Sequence, residues 1–354
     1  MDYRSAKLAH AREVTRDLCA APEVDCAYLS GSLLADLGSP TSDIDVFVVL
    51  RPGVEPETAM RQIRGSGERV DVEFYTTGYI EAAIDAVTDW KLTRDGLSRV
   101  WVPENQLDFV VRLHYAEVLK DSPTLAGFRS TLGERLPRLR QFLLARWAVE
   151  ANNYLEDFEG AYLDGDYDSA ALVGQSLMMV AGKAVAAAAG ELYFGRKWVF
   201  QQLRRGAGAG FGYAEFVDSQ CGRWTRPDPV AGYARFRQDL QTLLTAAQCL
   251  GWQAEAVARW PHWRSGTGGI SRDASFNPVR LSEGVLLNEE GRRQFVVKPD
   301  VALVWGLCNG QPASDVVRAA VALADAAPDL ADLTEERAGT VLDGLLGRNL
   351  VRSA

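Results

Sequence analysis

The chain has 354 residues, 47% hydrophobic and 24% charged, with a formal net charge of −9. That length exceeds a usual single domain, and the acidic balance argues against a general nucleic-acid binder, which normally presents a basic face. Five cysteines without a CxxC pair and three scattered histidines suggest neither a disulfide framework nor a zinc site, so reduced thiols in a cytoplasmic protein are expected.

The opening segment "MDYRSAKLAHAREVTRDL" lacks the apolar centre of a signal peptide. Its Leu8, Ala11, Val14 and Leu18 recur at helical spacing. "VDCAYLS", "DIDVFVVL" and "ERVDVEFYT" read as three strands, and "LHYAEVLKDSP" as a further short element. Residues 1–130 are therefore expected to form an α+β domain. From 131 the texture turns helical, with a break predicted at "LDGDYD" and more helix around 229–259. This predicts an all-α second domain over 131–263.

"LMMVAGKAVAAAAG" is interrupted by Lys183 and reads as short for a membrane span. The stretch 264–279, "RSGTGGISRDASFNPV", has the punctuation of a linker. Residues 275–354 then read as three short strands followed by three helices. Pro299 and Asp300 open the first helix and Thr334 caps the last.

The chemistry concentrates in "YLSGSLLADLGSPTSDIDVFVVL". Along a strand, Asp43 and Asp45 point to the same face. Two neighbouring carboxylates repel and resist desolvation unless a cation sits with them. Mg²⁺ is the natural partner, since it takes one or two carboxylates plus substrate phosphates. In "VDVEFY", Asp71 and Glu73 also share a face, and either can complete the cluster. Gly31 lets the backbone approach closely, and Ser32, with Ser42 adding a hydroxyl, can cradle phosphate. The plainer alternative is a pair of solvated acids at a strand end.

The combination of Gly31-Ser32, Asp43-Ile44-Asp45 and Val70-Asp71-Val72 resembles the nucleotidyltransferase superfamily of polymerase β and the aminoglycoside nucleotidyltransferases. The resemblance implies catalytic and metal-binding roles for Asp43, Asp45 and Asp71, two Mg²⁺ ions, and an NTP donor, with AMP the usual transferred group. "GELYFGRKWVFQQL" is similar to the helical half of such enzymes, which implies Lys197 as a triphosphate-neutralising residue. Glu150 and Glu156, like Glu73, are candidates for binding or deprotonating the acceptor.

Residues 275–354 resemble the small winged-helix modules of the pyrroloquinoline-quinone biosynthesis D-like family, the peptide recognition elements of modified-peptide pathways. This implies a leader peptide added to a sheet edge, and an acceptor that is a peptide or a natural product built on one. An antibiotic-modifying nucleotidyltransferase acting on a small molecule is a second expectation. A nucleotide-sensing binding protein with a winged-helix tail for peptide or DNA is a third.

Overall fold

Strands that are apolar on both faces build the first layer. The computed structural model describes residues 3–65, 68–225, 228–266, 268–289 and 292–353. They divide into two compact units, one of residues 1–90, 102–139 and 193–195, the other of 91–101, 140–192 and 196–354.

In the first unit, α1 (Tyr3–Val14) and α2 (Arg16–Ala20) precede β1 (Val24–Ser30), β2 (Ile44–Leu50), β3 (Met60–Gly65) and β4 (Glu68–Thr76). Then come α3 (Thr77–Thr88), α4 (Glu104–His114), β5 (Glu117–Lys120) and α5 (Pro123–Glu134). The sheet order is β3-β4-β2-β1-β5. β2 and β4 run parallel, with Asp45 opposite Asp71 and Phe47 opposite Glu73; the other neighbours are antiparallel.

Period-two alternation gives the two faces different jobs. One carries Ala27, Leu29, Ile44, Val46, Val48, Val70 and Val72, packed with Leu8, Ala11 and Cys19 of the first two helices. The other carries Tyr28, Phe47 and Tyr75, stacked in sequence at 5.1 and 6.1 Å between centroids. Phe109 of α4 lies 4.4 Å from the Tyr75 ring. Thr76 caps α3 by accepting from the Tyr79 N–H, and Ser122 caps α5 in the same way through Leu125.

Most of α6 (Leu136–Leu163) belongs to the second unit. That unit continues with α7 (Tyr167–Ala188), α8 (Val199–Gly206), α9 (Tyr213–Gln220) and α10 (Pro229–Leu250). It adds β6 (Ile270–Arg272), β7 (Asn277–Arg280), β8 (Val285–Glu289) and β9 (Arg293–Val297). α11 (Pro299–Leu307), β10 (Asn309–Gln311), α12 (Ala313–Ala322), α13 (Glu335–Gly347) and β11 (Val351–Ser353) close it. Asp166 caps α7 at the predicted break, and Thr334 caps α13 by accepting from Arg337 N–H at 3.2 Å.

Every residue from Leu240 to Leu250 is buried, so α10 is a central post, packing against α7 and α11 alike. Its buried amides are satisfied: Gln241 donates to the Asp273 and Phe276 carbonyls, and Gln248 donates to Leu144.

Two expectations change here. Stretch 264–279 is no linker: β6 is the middle strand of a β10-β6-β11 sheet. From β6, the buried Arg272 guanidinium donates to Gln241 and to the Gln238 carbonyl. The glycines that looked like punctuation serve close approach instead, since a Cβ on Gly269 would come 2.2 Å from the Gln311 carbonyl. The run around Lys183 is also longer than it looked. α7 has 22 residues and is apolar enough to cross a membrane, but 67% of its most apolar window is buried within the protein. Lys183 there donates to Gln202 at 2.6 Å.

Candidate active site

The turn after β1 places the first components. Gly31 has φ +92°, open to glycine at little cost, and an added Cβ would come 2.0 Å from Asp45 Oδ2. The Asp45 carboxylate therefore rests directly on the Gly-Ser turn. The chain then curls, with the N–H groups of Leu37 and Gly38 both donating to the Ser32 carbonyl.

The loop entering β2 is tied down from α1. Buried Lys7 donates to the Ser42 carbonyl at 3.0 Å and also pairs with Glu68. Ser42 is itself buried, and its hydroxyl accepts from the Ser39 N–H at 2.9 Å. Its oxygen is thus committed to shaping the loop.

Asp43 stands just before β2 and Asp45 one pleat further, on the sheet face that bears Phe47. Arg69 of β4 ion-pairs with Asp43 and lies 3.2 Å from Asp71 through the same nitrogen. Gln62 donates to the other Asp71 oxygen at 2.9 Å. Arg112 of α4 reaches Asp45 at 3.1 Å and Asp108, one turn back, at 2.7 Å. The Ser30 hydroxyl donates to the Arg112 carbonyl, which anchors that helix end to β1. Glu73 sits one pleat beyond Asp71, beside Phe47, and accepts a hydrogen bond from the Tyr75 hydroxyl.

Burial pushes the Asp45 carboxyl up to about 6; Arg112 pulls it back, while Asp43 and Glu73 push further. Burial also works against the Arg112 charge, but Asp45 and then Asp108 outweigh it and hold the guanidinium protonated. The Arg69 guanidinium is likewise favoured, by Asp71 first and Asp43 next. Burial raises the Tyr75 phenol, and the bond to Glu73 adds to this. His114, at the end of α4, is pushed down by burial.

Tyr193 joins this unit from far along the chain. Its ring stands edge-on to Tyr115 at 6.0 Å. Burial raises its phenol, Arg112 opposes, and Asp108, Asp45 and Asp43 add their charges.

The sequence-predicted Gly31, Ser32, Asp43, Asp45 and Asp71 thus gather at one end of β1, β2 and β4. Glu150, Glu156 and Lys197 belong to the second unit. There Glu150 is buried and paired with Arg196 at 2.7 Å, Glu156 is exposed on α6, and Lys197 is exposed with its nitrogen 4.9 Å above the Trp198 ring.

Sequence reading missed Lys7, Arg69, Arg112 and Tyr193. Arg69 was visible as a cation two residues before Asp71, the spacing that puts both on one strand face. Arg112 and Asp108 were visible as an i, i+4 pair on a helix. Nothing local marked Lys7 or Tyr193.

The acids supply the hard oxygen donors that Mg²⁺ takes. Asp43 and Asp71 already share one cationic nitrogen, so they fit a common cation. Asp45 is turned onto Arg112, and among the described residues no three acid, histidine or cysteine side chains form one ion-holding group.

No family model matches the chain, and no curated protein matches it. Among solved structures, it has a distant likeness to a nucleotidyltransferase-like protein from Exiguobacterium sibiricum, at 14% identity and a TM-score of 0.37. The likeness covers 68% of this chain and 75% of that one.

Proposed function

We propose that this protein is a Mg²⁺-dependent nucleotidyltransferase that moves an NMP, AMP by preference, from an NTP to an acceptor hydroxyl. The observation that carries the reading is the Asp45 carboxylate pressed on the Gly31 turn, with Asp71 beside it across the parallel β2–β4 pair. A phosphate bound at that turn would come close to these acids, which a metal ion would have to bridge.

Asp43 and Asp71, which share one cationic nitrogen, would hold the metal, and Asp45 would join them on leaving Arg112; the metal would neutralise phosphate oxygens for in-line displacement. In this assignment Gly31 and Ser32 orient the triphosphate through the backbone. Arg69 and Arg112 balance the acids in the nucleotide-free state. Asp71 is preferred over Glu73 as third carboxylate because it stands opposite Asp45 in register, while Glu73 lies one pleat further on, opposite Phe47. Asp71 would then also take the acceptor proton.

For the acceptor, the reading keeps a peptide or peptide-derived product recruited by residues 275–354. In its support, β9 is the edge of the three-stranded β7-β8-β9 sheet and Val296 on it is 45% exposed. Three helices, α11, α12 and α13, follow it.

Calorimetric titration of each NTP with and without Mg²⁺, on the native chain and on Asp43→Asn/Asp45→Asn, tests the reading. One NTP should bind only with metal, and the double substitution should abolish that binding while the far-UV spectrum is kept. Metal-independent binding, or binding that survives the substitutions, sinks it.

A further inference from the structure

The second unit holds a half-open cavity of about 650 Å³, within the size range of small organic ligands. Three rings build its apolar side. Phe211 stands edge-on to Trp263 at 5.0 Å and tilted against Phe216 at 5.9 Å, with Leu243 completing the wall.

Two carboxylates share the cavity, Glu215 on α9 and Asp239 on α10. Glu215 pairs through one oxygen with Arg264 at 2.7 Å, and its other oxygen is buried without a hydrogen-bond partner. Asp239 accepts from the Ser219 hydroxyl at 3.5 Å, the outer limit of a hydrogen bond. Among the described residues no cationic nitrogen comes within ion-pair distance of it. Burial pushes its carboxyl up to about 6, with Arg235 and Arg272 pulling back and Glu215 adding repulsion.

A second cavity of about 340 Å³ is bounded in part by the same Glu215, Ser219, Arg235 and Asp239. Asp239 therefore belongs to the walls of both. Arg235 and Arg264 also line the space, but both are exposed, so solvent screens them. The under-partnered charge inside is negative.

We propose that this cavity binds an organic ammonium ion with an apolar or aromatic body. The ammonium pairs with Asp239, in a field to which Glu215 adds. The body packs on Phe211, Phe216 and Trp263, whose faces also favour a cation. The site lies wholly within the second unit and does not depend on the nucleotide reading.

Isothermal titration of the full chain at pH 7.5 tests it, using phenethylamine as its ammonium, 2-phenylethanol and 3-phenylpropanoate as probes. Phenethylammonium should bind saturably at one site, at least about tenfold tighter than the alcohol, with the carboxylate weaker still. Asp239→Asn and Glu215→Gln should each lower the affinity, Asp239→Asn by about tenfold or more. Leu243→Trp, which narrows the space beside the three rings, should weaken binding of all three.

The proposal is overturned if the amine shows no saturable binding up to about 10 mM, or if the alcohol or carboxylate binds as well. The three-probe comparison needs no variant, so it decides even if a substitution disturbs folding.

Discussion

Gly31 holds two constraints in one residue: a backbone at φ +92° and a carboxylate where a side chain would go. Gly31→Ala is expected to cost about 1–3 kcal/mol from backbone strain alone. It must also push Asp45 off the turn, so NTP binding should fall more than folding does. Urea unfolding beside nucleotide titration separates the two effects. Asp239 sets a pH dependence. Its carboxyl moves from the ordinary 3.8 to about 6 on folding, so the folded chain keeps a proton that the unfolded chain has lost between those values. This contribution to stability is full below about pH 4 and lost as pH rises through 6, up to roughly 3 kcal/mol. Asp239→Asn should therefore melt higher than wild type at pH 7.5, with the gap closing toward pH 4. An equal gap at both pH values would contradict it.

At the scale of elements, the loop before β2 depends on α1. Lys7→Met leaves the buried Ser42 carbonyl and the Glu68 carboxylate without their donor. The expected loss is about 1–3 kcal/mol, together with weaker NTP binding, because Asp43 follows directly on Ser42. The α13 cap gives a cleaner case. Thr334→Ala removes the acceptor for the Arg337 N–H and should cost about 1 kcal/mol by chemical unfolding, with NTP binding unchanged. Strand alternation and caps of this kind are local events, which explains why β1, β2, β4 and the α7 and α13 starts were legible from residues alone. Stretch 264–279 was not. Glycine marks a flexible link and a tight strand approach with the same letter, and only the strand brought beside it distinguishes them.

For the whole molecule, burial sorts the thiols. Cys19, Cys26, Cys249 and Cys308 are buried, Cys221 alone is exposed, and all five are free. Burial pushes the Cys26, Cys249 and Cys308 thiols up to about 12, further lowering their reactivity. Ellman's reagent should therefore titrate one thiol quickly in the native chain and five in denaturant. Fast reaction of two or more in the native state would show that a buried segment opens readily.

The sequence by itself determined which residues could be acids on one strand face, because alternation along an extended chain is a covalent fact. Asp43, Asp45 and Asp71 follow from that alternation, and Gly31 from the Gly-Ser pair after the first strand. The tertiary structure decided what each acid meets. Parallel pairing of β2 with β4 set Asp71, rather than Glu73, opposite Asp45. Docking of α4 brought Arg112 to Asp45, and the return of residues 193–195 brought Tyr193 to the same unit. The cavity under Asp239 exists only because α9, α10 and the 263–266 segment meet there. Pairing register and long-range packing are sums over many weak contacts between distant residues, and no short stretch of sequence carries that sum.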